Sequence, residues 1–193
     1  PRRKEIRLED LPESVDWREK GAITQVRDQG MCGSCWAFAA SSAMASYAKI
    51  NDMDHDLLEL SPQHMVRYRN TNDKKPSFNA RDTQYHFSCA PNPLQCGGTG
   101  GCSGSIEPLA YTYASLFGIV TEAEYPYESD FGQYDDICRF DATQTDVSVM
   151  TMGWQTLPHN DMLAVMDHLA NKGPLTVDVD ARNWKLYTGG MLS

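Results

Sequence analysis

A chain of 193 residues and 21.6 kDa has room for one large domain or for two small lobes sharing a cleft. Its 17 Lys and Arg against 26 Asp and Glu leave a net charge of −9, which argues against a general nucleic-acid binder, since such proteins present a basic face. With 41% hydrophobic and 22% charged residues the chain is a folded globule, no apolar run approaches the roughly 20 residues that span a bilayer, and six cysteines without paired CxxC motifs suit disulfides better than zinc.

Residues 1–10 are densely charged and open on Pro1-Arg2-Arg3-Lys4 instead of an apolar signal segment. They read as a flexible arm or propeptide remnant, and a secretory protein would here be a processed form. Gly33-Ser34 then leads into an alanine-rich run from Cys35 to Ala48 that lacks Gly and Pro, which predicts a helix. Apolar residues surround it on nearly every side, so it is a buried central helix. A second helix starts at Ser61, with Ser61 as N-cap and Pro62 in the first helical position. Residues 67–101 form a polar insertion rich in Gly, Pro and Asn. Its part 67–88 sets Arg67, Arg69, Lys74, Lys75 and Arg81 against Asp73 and Asp82, a basic loop on an acidic protein, read as a solvated surface insertion.

Ile106 to Phe117 predicts a third helix stopped by Gly118. Residues 120–146 are strongly acidic. Asn160 to Asn171 predicts a further helix, ended by Gly173-Pro174, and Leu175 to Asp180 alternates with period two as a strand does. The first half is thus mainly helical and the second turns to strands. An α+β chain of two lobes follows, 11–120 and 121–193.

The chemistry sits where the first helix begins. Gln29-Gly30-Met31-Cys32-Gly33-Ser34-Cys35-Trp36 places Cys35 in the first turn, where aligned peptide dipoles favour thiolate over thiol. A thiolate is the nucleophilic form. Gln29, on the loop that must turn beside Cys35, has a side-chain amide able to donate to an oxyanion, with the Cys35 backbone N–H as second donor. A bare CxxC is as readily a disulfide pair. Gln29, Trp36 and the helix together favour a nucleophile.

At these residues the sequence resembles the papain-like cysteine peptidases. Leu11-Pro12-Glu13-Ser14-Val15-Asp16-Trp17-Arg18 is similar to the start of the mature enzymes, and Gln29 to Phe38 to their nucleophile segment. Leu60-Ser61-Pro62-Gln63 resembles the family's second-helix entry, usually Leu-Ser-Glu-Gln. Gly101-Cys102-Ser103-Gly104-Ser105 resembles its Gly-Cys-x-Gly-Gly cleft segment, and Tyr125-Pro126-Tyr127 and Gly173 to Val177 have counterparts as well. The resemblance implies a helical left lobe, a β-rich right lobe and peptide-bond cleavage through an acyl-enzyme, with no cofactor, metal, nucleic acid or membrane involved. It places Gly33, Trp36, Ser103, Gly104, Ser105 and, less firmly, Trp184 at the cleft or its support. It also implies a lysosomal, vacuolar or secreted setting, which suits an acidic protein with disulfides.

Such an enzyme needs a histidine to take the thiol proton and an Asn or similar group to orient the ring. The histidines are His55, His64, His86, His159 and His168. His168 has the nearest spacing but lies in a predicted helix before Gly173-Pro174, whereas the family's base follows the strand after it. The family histidine comes after a segment that Tyr187 to Leu192 resembles, so the residues inserted after Val66 push it beyond Ser193. Two explanations compete: a partial sequence, or the heavy chain of a cleaved peptidase whose light chain carries His and Asn. The alternative is a catalytically inactive homologue that binds or supports other molecules, against which the presence of both Cys35 and Gln29 counts.

By the same resemblance Cys32 pairs with Cys102 and Cys89 with Cys138, Cys89 replacing the cysteine for which Tyr68 stands. Cys35 then stays a thiol and Cys96 has no partner within the chain. Ser105 replaces the second glycine of the cleft segment, and its β-carbon narrows the approach of a P2 residue. Asp178 falls beside the S2 pocket. It either recognises a basic P2 side chain or faces solvent and pairs with a nearby Lys or Arg.

Overall fold

The computed structural model describes residues 6–66, 95–129, 146–181, 184 and 187–189. Among them are the helices α1 (Cys35–Asn51), α2 (Gln63–Val66), α3 (Glu107–Phe117) and α4 (Met162–Asn171). The basic part of the insertion, most of the acidic stretch, Cys89 and Cys138 lie outside the described residues. Leu8–Asp10 close a 3-10 turn within the segment expected to be an arm, and Arg7 donates to the Asp10 carboxylate at 3.1 Å.

The core forms around α1. Its alanines let other backbone come close, and Ala37, Ala40 and Ala45 are wholly buried beside Trp36 and Met44. Ala110, Tyr113 and Ala114 of α3 meet this surface, and Leu60, Met65, Val66 and Ile119 close the cluster. Full burial of side chains the size of Leu60, Met65 or Ile119 stabilises by about 1.5–3 kcal/mol each. α1 is therefore the buried central helix that its composition predicts.

Local signals set the helix ends. Ser61 Oγ accepts the His64 N–H at 3.1 Å, the N-cap bond expected there, and its own proton goes to the Tyr125 carbonyl at 2.5 Å. α3 stops at Gly118, whose φ of 72° and contact with Val147 exclude a side chain. α4 starts two residues later than expected. Asn160 is left-handed at φ 55°, which a helix cannot continue through, and Asp161 instead caps the helix by accepting the Ala164 N–H at 3.0 Å.

The expected strand at Leu175–Asp180 does not form. The β-structure among the described residues consists of isolated bridges, antiparallel at Leu60–Thr121 and Ile119–Val149 and parallel at Gly33–Ser103. A strand needs a ladder partner as well as alternation, and here Val177 and Val179 are 70% and 55% exposed. The segment instead docks on helices. Tyr47 on α1 lies between His168 Nε2, at 2.6 Å, and the Pro174 carbonyl, at 3.1 Å, while Trp17 Nε1 donates to the Leu169 carbonyl at 2.7 Å. Among the described residues no helix is long and apolar enough to cross a membrane.

Candidate active site

Cys35 is the first residue of α1 and is exposed, with its sulfur in no disulfide. Three links fasten the loop before it to the 101–105 segment. Cys32 and Cys102 form the expected disulfide, the Gly33 N–H donates to the Cys102 carbonyl at 2.9 Å, and Gly33 bridges Ser103. A β-carbon at Gly33 would stand 2.5 Å from the Cys102 carbonyl oxygen, so only glycine permits this approach. The loop two and three residues before Cys35 is thereby fastened to the segment that carries Ser103, Gly104 and Ser105.

Trp36, expected at the cleft or its support, is 1% exposed and donates its indole N–H to the Gly101 carbonyl at 3.2 Å. That corrects its place among substrate-contacting residues: it supports the 101–105 segment from behind. Ser105 Oγ is buried without a hydrogen-bond partner among the described residues. Trp184 is 44% exposed, and no described contact ties it to Cys35.

Gln29 is fixed at several points. Its Nε2 donates to the Cys32 carbonyl at 2.7 Å, which leaves the second N–H of the amide to give. Asp28 Oδ1 accepts the Gly30 N–H at 2.8 Å across a turn in which Gly30 has φ 63°. On the other side Arg27 donates to the Leu60 carbonyl at 3.1 Å and to Ser41 Oγ at 3.1 Å, and pairs with Glu122 at 3.5 Å. The Gln29 carbonyl accepts the Tyr127 hydroxyl at 2.8 Å. Sequence reasoning missed Tyr127 as a site residue. Its one signal was the Tyr125-Pro126-Tyr127 segment, noted only for its likeness to the family.

Four of the five histidines lie among the described residues, and the bonds of His55 and His168 place those two towards the far end of α1 from Cys35. His168 is bonded to Tyr47, twelve residues further along α1 and about 18 Å along the helix axis. His55 pairs with Asp52 past the far end of α1, and His159 is exposed before α4. His64 is buried on α2. Its Nδ1 accepts the Val120 N–H at 3.4 Å, so the proton sits on Nε2, 3.0 Å from the Tyr113 hydroxyl, and burial holds the ring's pKa down at about 4.

Asp178 is exposed and has no ion-pair partner among the described residues. Tyr111 on α3 donates to Thr176 Oγ1 at 3.2 Å. Glu107 lies one helical turn before Tyr111, and Asp178 lies two residues beyond Thr176, so the bond brings the two carboxylates onto facing surfaces. Glu107 is only 8% exposed. Burial raises its pKa, its own backbone N–H lowers it, and the Asp178 charge raises it further. Glu107 was not foreseen from the sequence, because the partner of Asp178 depends on how 174–178 docks against α3.

The Cys32–Cys102 disulfide and the exposed Cys35 thiol lie within the segments that resemble a papain-like protein. The profile described as Papain family cysteine protease matches residues 11–193, and the chain belongs to this family, with its papain-like α+β fold of two lobes. It is 33% identical to oryzain beta chain of Oryza sativa subsp. japonica over 189 residues, 96% of this chain and 34% of that protein. It is 31% identical to vignain of Ricinus communis, covering 97% of this chain and 43% of the relative. Procathepsin L2 proteinase from the larval midgut of Tenebrio molitor superposes with a TM-score of 0.69 at 32% identity, over 94% of this chain and 48% of that one. The chain therefore spans about a third to a half of the length of these relatives.

Proposed function

We propose that the chain carries the nucleophilic part of a cysteine endopeptidase, as a portion of a longer enzyme or as its heavy chain. The observation that carries this reading is the exposed Cys35 thiol at the start of α1, three residues after Cys32, which is bridged to Cys102 and accepts from the Gln29 amide. In the reaction the Cys35 thiolate attacks the carbonyl carbon of a peptide bond. The carbonyl oxygen takes the negative charge and is held by the Cys35 N–H and the free amide proton of Gln29. Collapse forms a thioester and expels the amine, which receives the proton that the thiol gave to the general base. Water then hydrolyses the thioester and regenerates the thiol.

The base and its orienting Asn come, in this reading, from a C-terminal segment or a light chain outside these residues. The placement of His55, His64, His159 and His168 supports that, as does the exposure of Val177 and Val179, apolar positions that a neighbouring strand would cover. The juxtaposition of Asp178 with the buried Glu107 supports preference for Arg or Lys at P2. A lysosomal, vacuolar or secreted setting, in which disulfides persist, goes with the family and with the Cys32–Cys102 bridge.

Active-site labelling tests the proposal. A peptidyl electrophile directed to thiols should modify Cys35 one-to-one in native enzyme and abolish turnover, with Cys32 and Cys102 recovered as one disulfide-linked peptide. A non-catalytic homologue would leave Cys35 unlabelled at concentrations that saturate an active peptidase. A Cys35–Cys32 bridge would defeat the reading outright.

A further inference from the structure

Among the described helices, α1 has a serine before it that does not cap it. Ser61 and Asp161 both accept a first-turn N–H, at 3.1 and 3.0 Å. Ser34 immediately precedes α1 and caps nothing with its side chain. Its hydroxyl lies 2.8 Å from the Tyr127 phenol. The Tyr127 proton is committed to the Gln29 carbonyl at 2.8 Å, so Ser34 must be the donor to Tyr127. A hydroxyl that donates in that direction is held away from the helix amides that a serine N-cap otherwise accepts from. Ser34 is fully buried, and the Tyr127 ring is seated edge-on against Phe38 of α1, with centroids 4.8 Å apart. The phenol is therefore fixed by packing as well as by its two hydrogen bonds. Glu122 accepts the Tyr127 N–H at 2.7 Å and pairs with Arg27, so the backbone of Tyr127 is tied to the residue two before Gln29.

We propose that Tyr127 is a positioning residue for the nucleophile and its oxyanion donors. Its phenol draws the Ser34 hydroxyl off the first turn of α1 and pins the Gln29 carbonyl. The Ala37 and Phe38 N–H groups already bond the Ser34 carbonyl, at 2.9 and 3.1 Å. The amides kept without a competing cap are therefore those of Cys35 and Trp36, while the Gln29 backbone is held by the Tyr127 phenol. The proposal rests on Cys35 being the nucleophile. It adds a residue that touches no substrate and acts through Ser34 and Gln29.

The test uses the complete active enzyme. Tyr127→Phe keeps the ring against Phe38 and removes only the hydroxyl. It should lower kcat by about 10- to 100-fold, as loss of donor alignment does, with KM within about two-fold. Tyr127→Phe/Ser34→Ala should regain at least about three-fold in kcat over the single variant, because no freed hydroxyl is left to cap α1. A kcat for Tyr127→Phe within two-fold of the parent, or a double variant no faster than the single one, overturns the proposal. Full turnover by Cys35→Ala would overturn the nucleophile reading itself, a result distinguishable from any outcome at Tyr127.

Discussion

Asp178 and Glu107 are two residues with different burdens. Asp178 is exposed, whereas Glu107 is buried and its pKa is raised, first by that burial and then by the neighbouring Asp178 charge. A guanidinium or ammonium group entering between them would relieve both penalties, since it offsets the repulsion and partners the buried carboxylate. The expected outcome is that the complete enzyme prefers Arg or Lys at P2 over Leu, that Asp178→Ala reduces this preference about ten-fold, and that Glu107→Gln reduces it less. A P2-varied substrate library read with the three enzymes checks it. A preference that survives Asp178→Ala unchanged, or that is absent in the parent, sinks the idea. The pH dependence has a defined sign. The Glu107 pKa is raised in the folded protein, so its burial favours folding at low pH and ceases to do so as pH rises through that pKa. Loss of basic preference on acidification should therefore set in at higher pH in the parent than in Glu107→Gln.

Among the elements, α2 is tied to α3 and to the segment after it through a single buried ring. His64 is bonded to Val120 and Tyr113 and stacks on Tyr125, with ring centroids 5.6 Å apart. Its pKa falls from the ordinary 6.5 to about 4 because burial penalises the charged form. The unfolded chain therefore takes up this proton first as pH drops. Stability from a neutral His64 is full above about pH 6.5 and is lost as pH falls towards 4, a change of about 3 kcal/mol at most. His168 is shifted in the same direction by its own, lesser burial. Between pH 7 and 4.5 the melting midpoint should fall, and His64→Gln should flatten that slope while lowering the midpoint at pH 7. An equally steep slope in His64→Gln would show that other groups govern it. The elements were also the most legible level of the sequence. Alanine content, Ser61 with Pro62, and Gly118 each act over one or two turns, so α1, the cap of α2 and the end of α3 could be read locally. The start of α4 went to Asp161 because left-handed Asn160 cannot lie inside a helix. The 175–180 strand failed because alternation states only which faces differ, while a ladder needs a second chain segment beside it. Cys35, Gln29 and Cys102 were legible for the same local reason, since each lies in a short contiguous motif. Tyr127 and Glu107 act across 98 residues to Gln29 and 65 residues from Tyr111 to Thr176, distances that no sequence window spans.

At the scale of the whole molecule, apolar burial is uneven along the chain. The left lobe encloses a core that includes Trp36, Leu60, Met65 and Ile119, each at most 1% exposed. The region 150–187 instead exposes Met150, Met152, Trp154, Val177, Val179 and Tyr187, with Met152 at 107%. Side chains of this size gain about 1.5–3 kcal/mol each when fully covered, so the region is well supplied to bind a further stretch of polypeptide. The proposed base would arrive on that stretch. His168, the described histidine with the most plausible spacing, is held by Tyr47 about 18 Å along α1 from Cys35, and swinging it to the thiol would mean pulling α4 off α1. Residues 1–193, produced alone, should therefore hydrolyse peptide substrates no faster than their Cys35→Ala variant. Adding the segment or light chain that carries His and Asn should restore turnover and, in the same titration, protect Val177 and Val179 backbone amides from hydrogen exchange. Restored turnover without that protection would place the complement elsewhere. Turnover by the purified 193-residue chain alone would return the role of base to His168 or His159, and a His168→Ala variant would then decide between those two.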